Sequence, residues 1–123
     1  MPNVLITGCS TGIGRALADA FKAAGYEVCA TARKAEDVAA LNAAGFIGVQ
    51  LDVNDGPALE RLAAGFEGLD VLINNAGYGA MGPLLDGGVE AMQRQFETNV
   101  FSVVGVTRAL FPEIGRASCR ERV

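Results

Sequence analysis

Histidine is absent from this chain of 123 residues. The most common general base in enzymes is therefore missing, and any acid–base chemistry must use other groups. Cysteine is also scarce, and Cys9, Cys29 and Cys119 form no CxxC pair. Their odd number and their spacing predict neither a disulfide framework nor a metal site. We expect Cys9 and Cys29 to be small buried apolar residues.

Charged residues are few and form no long run. Only 20% of the residues are charged, the formal net charge is -4, and no run of Lys or Arg precedes the last few residues. We therefore expect neither a nucleic acid nor an anionic membrane surface as a partner. No stretch approaches the roughly 20 apolar residues of a membrane span, and no charged leader precedes a cleavage site. The prediction is a cytoplasmic protein with one globular domain.

Short apolar runs alternate with helical patterns along the chain. Each run suits a strand buried on both faces, and each pattern suits a helix that covers a sheet. The sequence predicts strands over residues 4–7, 27–31, 46–51 and 69–73, and helices over residues 13–24 and 35–44. A third helix is expected after Asn54 or Asp55, either of which can cap it, with Pro57 in its first turn.

A last long helix is expected to begin near Val89 and to run towards Phe111. Its predicted apolar face carries Met92, Phe96, Val100, Val103 and Val104. The regular alternation predicts an α/β fold of the Rossmann type, a doubly wound parallel sheet with strand order 3-2-1-4. The sheet is expected to be truncated after the fourth strand and the following helix, which leaves an exposed strand edge.

The glycine-rich stretch after the first predicted strand is the strongest functional signal. Residues 7–14 read TGCSTGIG and open the first helix, which is the context that a phosphate-binding turn requires. Without a Cβ in the way, backbone N–H groups can approach a pyrophosphate, and the helix amino terminus adds partial positive charge. The residues predicted to bind a dinucleotide here are Gly8, Ser10, Thr11, Gly12, Ile13 and Gly14. The alternative is a tight strand-to-helix connection that binds no ligand.

A second motif, Asn74-Asn75-Ala76-Gly77, follows the fourth predicted strand. This NNAG motif and the TGxxxGxG turn together resemble the short-chain dehydrogenase/reductase family, whose members carry both motifs in these two places. The resemblance extends over residues 4–111 and includes Asp52, Val53 and Asn99. It implies a nicotinamide dinucleotide cofactor, a small-molecule carbonyl or secondary alcohol as substrate, and a homo-oligomeric full-length parent.

The resemblance also implies roles for individual residues. In the family, the aspartate at the Asp52 position contacts adenine, and the NNAG motif shapes the wall beside the adenosine ribose. Asp52, Val53 and residues 74–77 are therefore implied to contribute to cofactor binding. Structural alternatives stay open, because Asp often forms a turn after a strand and Asn often caps backbone groups. Asn99 matches the asparagine that positions the family's proton relay, and it is the one catalytic residue that the resemblance transfers.

The residues after the second predicted strand bear on the choice between NAD(H) and NADP(H). An acidic residue there binds the ribose 2′-hydroxyl of NAD, whereas a nearby Arg accommodates the 2′-phosphate of NADP. Ala32 stands where NAD-selective family members carry Asp, and Arg33 and Lys34 follow. Arg33 is predicted to bind the phosphate, so that NADP(H) is preferred and NAD(H) possible. The alternative is a solvated pair of charges at the start of a helix.

The catalytic Ser and the Tyr-x-x-x-Lys motif of the family have no counterpart in this sequence. Tyr26 and Tyr78 are followed four positions later by Ala30 and Gly82. Loss of a positioned proton donor costs about 10²–10⁴-fold in rate. We therefore expect this chain to be essentially inactive although it resembles an oxidoreductase. A non-catalytic dinucleotide sensor and an interaction fragment, which would pair through the long helix and the open sheet edge, are the alternatives.

Residues 113–123 differ in composition from the rest of the chain. They contain Arg116, Arg120 and Arg122, and one back-translation of this segment resembles a sequencing-library adapter. The predicted organisation is therefore a partial dinucleotide-binding domain over residues 1–112 and a non-native tail over residues 113–123. A natural basic tail is the alternative.

Overall fold

The structure, a computed structural model, describes residues 1–79, 82 and 84–121, with side chains in these ranges except at residues 84 and 116–121. Strands and helices alternate along the chain. The strands are β1 (Asn3–Ile6), β2 (Glu27–Ala32), β3 (Ile47–Gln50) and β4 (Val71–Ile73). The helices are α1 (Gly12–Ala23), α2 (Ala35–Ala43), α3 (Gly56–Ala64), α4 (Leu84–Phe96) and α5 (Ser102–Glu121), and a π-helical segment (Glu97–Phe101) joins the last two.

The four strands form one parallel sheet in the order β3-β2-β1-β4. In its register, Leu5 of β1 lies beside Cys29 of β2 on one side and Leu72 of β4 on the other. This confirms the predicted Rossmann-like fold and strand order. Because all strands run in the same direction, the loops that follow them meet at one edge of the sheet, where α/β proteins bind ligands.

Both faces of the sheet are covered, as the apolar strands predict. Val4, Leu5 and Ile6 have no exposed surface, and alternate side chains of β1 enter the two cores. Val4 and Ile6 pack in one core with Ala18 of α1 and Leu41 of α2. The other core contains Leu5, Leu59 of α3, and Val106 and Leu110 of α5. The central strand is therefore held from both sides, which fixes the position of the loop that follows it.

The start of α3 decides between the two predicted caps. The Asp55 carboxylate accepts a hydrogen bond from the Ala58 N–H group at 3.1 Å, and Pro57 lies in the first turn. Asp55 is therefore the amino-terminal cap, in agreement with its preference for this position. Asn54 is left for another contact, described below.

The long helix differs from its prediction in three ways. Gly88 has φ 66° and ψ -165°, so that a first helical turn precedes the predicted start near Val89. The π-helical segment interrupts the regular helix before Ser102. The helix also continues past Phe111 through Pro112, although a proline lacks the N–H group that the helix would use. Burial of Leu110 and Glu113 on either side of Pro112 explains why the helix does not end there.

The predicted apolar face of this helix is not the face that packs on the sheet. Four of its five side chains are exposed or nearly half-exposed: Met92 (48%), Phe96 (49%), Val100 (45%) and Val104 (63%). The buried face instead carries Val106 and Leu110, spaced by one turn. Of the helices in the described ranges, none combines the length and the apolar character that crossing a bilayer needs.

Candidate functional site

The glycine turn lies between β1 and α1 at the carboxyl edge of the sheet. A Cβ on Gly14 would lie 2.1 Å from the Gly8 carbonyl oxygen, and a Cβ on Gly8 would lie 2.8 Å from the Cα atom of Ala76. Both distances are too short for any side chain, so these two glycines allow the helix, the turn and the end of β4 to pack together. The helix and the strand therefore pack closely at this turn.

Gly12, the third glycine of the motif, faces open space. Its φ is +64°, and a Cβ placed on it would have no neighbour within 4 Å. It begins α1 after Thr11, whose side chain makes no capping hydrogen bond, and the first turn of α1 contains no acidic residue. The amino terminus of α1 therefore presents its backbone N–H groups and its partial positive charge to this space.

Two side chains connect the glycine turn to the NNAG motif. The Thr7 hydroxyl accepts hydrogen bonds from the N–H groups of Asn75 and Ala76, both at 3.0 Å. The Asn75 side chain donates a hydrogen bond to the Gly8 carbonyl at 2.9 Å. The structure thus brings together the two motifs, which are 60 or more positions apart in the chain.

Asn99 lies on the π-helical segment and contacts the loop after β4. Its side-chain oxygen accepts a hydrogen bond from the Tyr78 N–H at 2.9 Å, and its side-chain nitrogen donates one to the Tyr78 carbonyl at 2.7 Å. Further along the long helix, the Thr107 hydroxyl of α5 accepts a hydrogen bond from the Asn74 side chain at 3.1 Å. These bonds attach the loop that begins with Asn74 to the long helix at two points.

A cavity of about 340 Å³ opens at this edge of the sheet. Ten of the predicted site residues line it: Gly8, Ser10, Thr11, Ile13, Arg33, Asp52, Val53, Asn75, Ala76 and Gly77. Four predicted site residues do not line it: Gly12, Gly14, Asn74 and Asn99. Gly12 and Gly14 nevertheless belong to the glycine turn, whose other predicted residues do line the cavity. The remaining lining residues are Thr31, Ala32, Leu51, Asn54, Tyr78 and Thr98. In the loop after β4, Gly77 and Tyr78 line the cavity, and residues 80, 81 and 83 lie outside the described residues.

Asn54 and Thr98 were not predicted as site residues. Asn54 was expected only as a possible helix cap, and no role was expected for Thr98. The Asn54 side chain donates a hydrogen bond to the Thr98 hydroxyl at 2.9 Å across the cavity wall. Their position next to Val53 and Asn99 was the one signal in the sequence that pointed to them.

The end of β2 places the selectivity residues at the rim of the cavity. Ala32 is the last residue of the strand and is 4% exposed, whereas Arg33 is exposed and lines the cavity with its side chain unpaired by any described carboxylate. The Gln50 side chain donates a hydrogen bond to the Arg33 carbonyl at 3.0 Å and so fixes the backbone at this point. Of the described residues that line this cavity, Arg33 is thus the cationic one.

Cys9 of the glycine turn and Cys29 of β2 are buried, and both thiols are protonated at neutral pH. Burial raises the pKa of the Cys9 thiol to about 11 and that of the Cys29 thiol to about 12. The Cys9 thiol donates a hydrogen bond to the Ile6 carbonyl at 3.2 Å. The prediction that both are buried apolar residues is confirmed. Among the residues that the structure describes, no three side chains of His, Cys, Asp or Glu form a group that could hold a metal ion.

Comparison with known proteins identifies the family. The family model of the short chain dehydrogenases matches residues 2–120. A short-chain dehydrogenase/reductase of Pestalotiopsis microspora is 39% identical over 112 residues, which cover 90% of this chain and 42% of that protein. Serine 3-dehydrogenase of Rhizobium radiobacter is 36% identical over 120 residues, which cover 90% of this chain and 48% of that protein.

Solved structures agree with this match. A short-chain dehydrogenase of Streptomyces avermitilis superposes with a TM-score of 0.82 at 38% identity, covering 91% of this chain and 44% of the other. A closed form of serine dehydrogenase complexed with NADP+ gives a TM-score of 0.83 at 32% identity and covers 91% and 48%. The chain therefore spans less than half the length of these relatives. It belongs to the short-chain dehydrogenase/reductase family.

Proposed function

We propose that this chain is the cofactor-binding part of an NADP(H)-dependent oxidoreductase that acts on a carbonyl or a secondary alcohol. The observation that carries the proposal is the cavity at the carboxyl edge of the sheet, which joins the glycine turn, Arg33 and the NNAG motif in one wall. One relative is described as an NADPH-dependent reductase, and one similar structure as a complex with NADP+. Both support NADP(H) as the cofactor.

The residues of the cavity fit a dinucleotide. The open space beside Gly12 and the uncapped amino terminus of α1 suit the pyrophosphate, because backbone N–H groups and the helix dipole both favour an anion. Ser10, Thr11 and Ile13 belong to the same turn and line the cavity. Ile13 is 73% exposed, and a bound cofactor would cover this apolar side chain.

The other end of the cavity suits the adenosine of NADP(H). Asp52 and Val53 follow β3, and Val53 is buried while the Asp52 carboxylate faces the cavity from an exposed position. Arg33 can bind the 2′-phosphate through two parallel hydrogen bonds, which a planar guanidinium forms well. A carboxylate at position 32 would repel this phosphate, and the position is occupied by Ala32.

The cofactor, when bound, supplies or accepts a hydride at its nicotinamide. The chain's own contribution to the reaction at that end is to hold the loop after β4 in place. Asn99 binds the backbone of Tyr78 through two hydrogen bonds, and Asn75 binds the turn that holds the phosphates. A proton relay through Asn99 would also need the Tyr and Lys of the family, and the sequence contains no Tyr-x-x-x-Lys. We therefore propose that the 123-residue chain binds the cofactor and turns over little or no substrate.

A second candidate function is a dinucleotide-binding sensor, which would use the same cavity without catalysis. Both candidate functions require cofactor binding, which is tested by titrating the purified chain with NADPH and with NADH. Fluorescence and calorimetry monitor the titrations. We expect NADPH to bind more tightly than NADH. Tighter binding of NADH would overturn the cofactor preference, and no binding of either would leave only a structural or interaction role. Because the 123-residue chain itself is expected to turn over little or no substrate, the full-length gene product is assayed instead, and its consumption of NADPH with a panel of carbonyl compounds separates a reductase from a sensor.

A further inference from the structure

A hydrogen bond closes the adenosine end of the cavity from the side of the long helix. The Asn54 side-chain nitrogen donates to the Thr98 hydroxyl oxygen at 2.9 Å, and the two residues are 44 positions apart in the chain. Both side chains line the cavity. Asn54 belongs to the loop after β3 and Thr98 to the π-helical segment, so this bond joins two walls that share no backbone connection.

Asn54 is attached directly to the residue that is proposed to contact adenine. The Asp52 side-chain oxygen Oδ1 accepts a hydrogen bond from the Asn54 N–H at 2.9 Å. This bond forms a tight turn of the kind that Asp favours after a strand. It engages one of the two carboxylate oxygens of Asp52 and sets the direction of the other. A displacement of Asn54 would therefore move the Asp52 carboxylate as well.

Thr98 is itself held firmly on the π-helical segment. Its carbonyl oxygen accepts a short hydrogen bond from the Ser102 hydroxyl. The next residue, Asn99, binds both the N–H and the carbonyl of Tyr78. Two consecutive residues of the segment thus contact two different strand-end loops, and π-helical turns inside helices often occur at functional sites for such reasons. Thr98 is a fixed point to which the loop after β3 is attached.

A second cavity, of about 540 Å³, shares part of its lining with the first. Arg33, Asn54, Tyr78 and Thr98 line both cavities, and Gln93 and Arg94 of α4 line only the second. The Asn54–Thr98 hydrogen bond therefore belongs to the lining that the two cavities share. Without the bond, this part of the lining would lose the one side-chain hydrogen bond described between the loop after β3 and the long helix. The apolar packing of Leu51 and Val53 with Val106 in the core would remain.

We propose that Thr98, acting through Asn54, is a positioning residue for the adenosine half of the cofactor. This inference rests on the proposed function, because it assigns a role at the same site. A single hydrogen bond between solvent-accessible side chains adds little to the stability of the fold. Its effect is expected in ligand binding, where the preset position of Asn54 and Asp52 removes an ordering cost from association.

The test uses the 123-residue chain and two probes, NADPH and adenosine 2′,5′-bisphosphate, which carries the adenosine end without the nicotinamide. Thr98→Val, Asn54→Ala and the double variant are titrated with each probe by calorimetry. We expect each single variant to bind both probes about 3–10-fold more weakly than the unchanged chain, which is the range of one hydrogen bond. The double variant should lose no more affinity than the single variant with the larger loss. Thr98→Ser retains the hydroxyl and should restore binding.

Asn42→Ala provides the matched control. Asn42 also makes one exposed side-chain hydrogen bond of 2.9 Å, to the Gly48 N–H, and it does not line the cavity. Circular dichroism of every variant verifies the fold. Binding by Thr98→Val as tight as that of the unchanged chain would overturn the inference and leave the proposed function intact. Equal weakening by Asn42→Ala, or additive losses in the double variant, would also overturn it. If the unchanged chain binds neither probe, the proposed function fails first.

Discussion

Thr7 and Asn75 join the glycine turn to the end of β4. The Thr7 hydroxyl accepts the Asn75 N–H at 3.0 Å, and the Asn75 side chain donates to the carbonyl of Gly8, the residue after Thr7, at 2.9 Å. Thr7 is 1% exposed, so water cannot replace its hydroxyl. The two motifs of the candidate site are therefore fixed relative to each other by the protein itself.

Replacing Thr7 by Val should destabilise the chain. The hydroxyl accepts hydrogen bonds from two partly buried backbone N–H groups, and a donor left without an acceptor away from water costs about 1–3 kcal/mol. Urea unfolding should show a lower midpoint for Thr7→Val, while Thr7→Ser, which keeps the hydroxyl, should lose much less. A Thr7→Val chain as stable as the original would contradict this account of the turn.

Alanine substitutions at two helical glycines should act in opposite directions. A Cβ at Gly14 would lie 2.1 Å from the Gly8 carbonyl oxygen, so that Gly14→Ala forces the backbone apart and costs about 1–3 kcal/mol or more. A Cβ at Gly105 in α5 would have no neighbour within 4 Å. Gly105→Ala should therefore stabilise the chain by roughly 0.5–1 kcal/mol. Thermal unfolding of both variants measures the difference, and a loss of stability in Gly105→Ala would count against the packing of α5.

The substitution Arg33→Gln should weaken NADPH binding and leave NADH binding almost unchanged. Hydrogen bonds between a guanidinium and a phosphate are worth about 1.5–3 kcal/mol, which corresponds to roughly 10–100-fold in Kd. Arg61→Gln on α3 is the matched control, because Arg61 is exposed and does not line the cavity. Calorimetric titration gives both constants. An equal loss for NADPH and NADH would mean that Arg33 does not bind the 2′-phosphate.

Stability should fall at alkaline pH because of the two buried thiols. Their pKa values in the folded chain, about 11 for Cys9 and about 12 for Cys29, lie above the ordinary value of 9.0. Below about pH 9 both states hold these protons, and the stability does not depend on them. As the pH rises from 9 towards 11–12, the unfolded state releases the protons first, so that folding becomes less favourable.

Urea unfolding at a series of pH values from about 8 to about 11 checks this linkage. This series covers most of the interval between the thiol pKa values of the unfolded chain and those of the folded chain. The comparison chain is Cys9→Ala/Cys29→Ala, which retains every other group that titrates in this range. The decline in stability should be steeper in the unchanged chain. The same slope in both chains would show that the thiols are not the cause.

Resequencing of the source gene tests the interpretation of residues 113–123. If the segment is a non-native tail, the gene should continue after Phe111 into a sequence that contains the family's Ser and Tyr-x-x-x-Lys. A gene that encodes residues 113–123 and then stops would show that the tail is natural. The contact of the Glu113 carbonyl with the Leu69 N–H at 3.0 Å is made by the backbone and does not require a particular side chain.

Much of the fold was predictable because its signals are local. The apolar run before Gly8 and the helical spacing after Gly14 predicted β1 and α1 within one or two residues of their observed ends. The strand order also followed, since right-handed crossovers between parallel strands leave few arrangements. The start of the long helix near Val89 was close to the break at Gly88, but the short helical turn before it had no clear sequence pattern.

The sequence by itself determined the alternation of strands and helices, the glycine turn and the family, because each depends on residues close together in the chain. Only the tertiary structure decided which face of the long helix is buried. The exposed Val104 is as apolar as the buried Val106 and Leu110, so the sequence alone does not separate the two faces. It also decided the pairing of Asn54 with Thr98 and of Asn99 with Tyr78. Such contacts arise where the sheet and the helices bring distant segments together, and no local pattern specifies their partners.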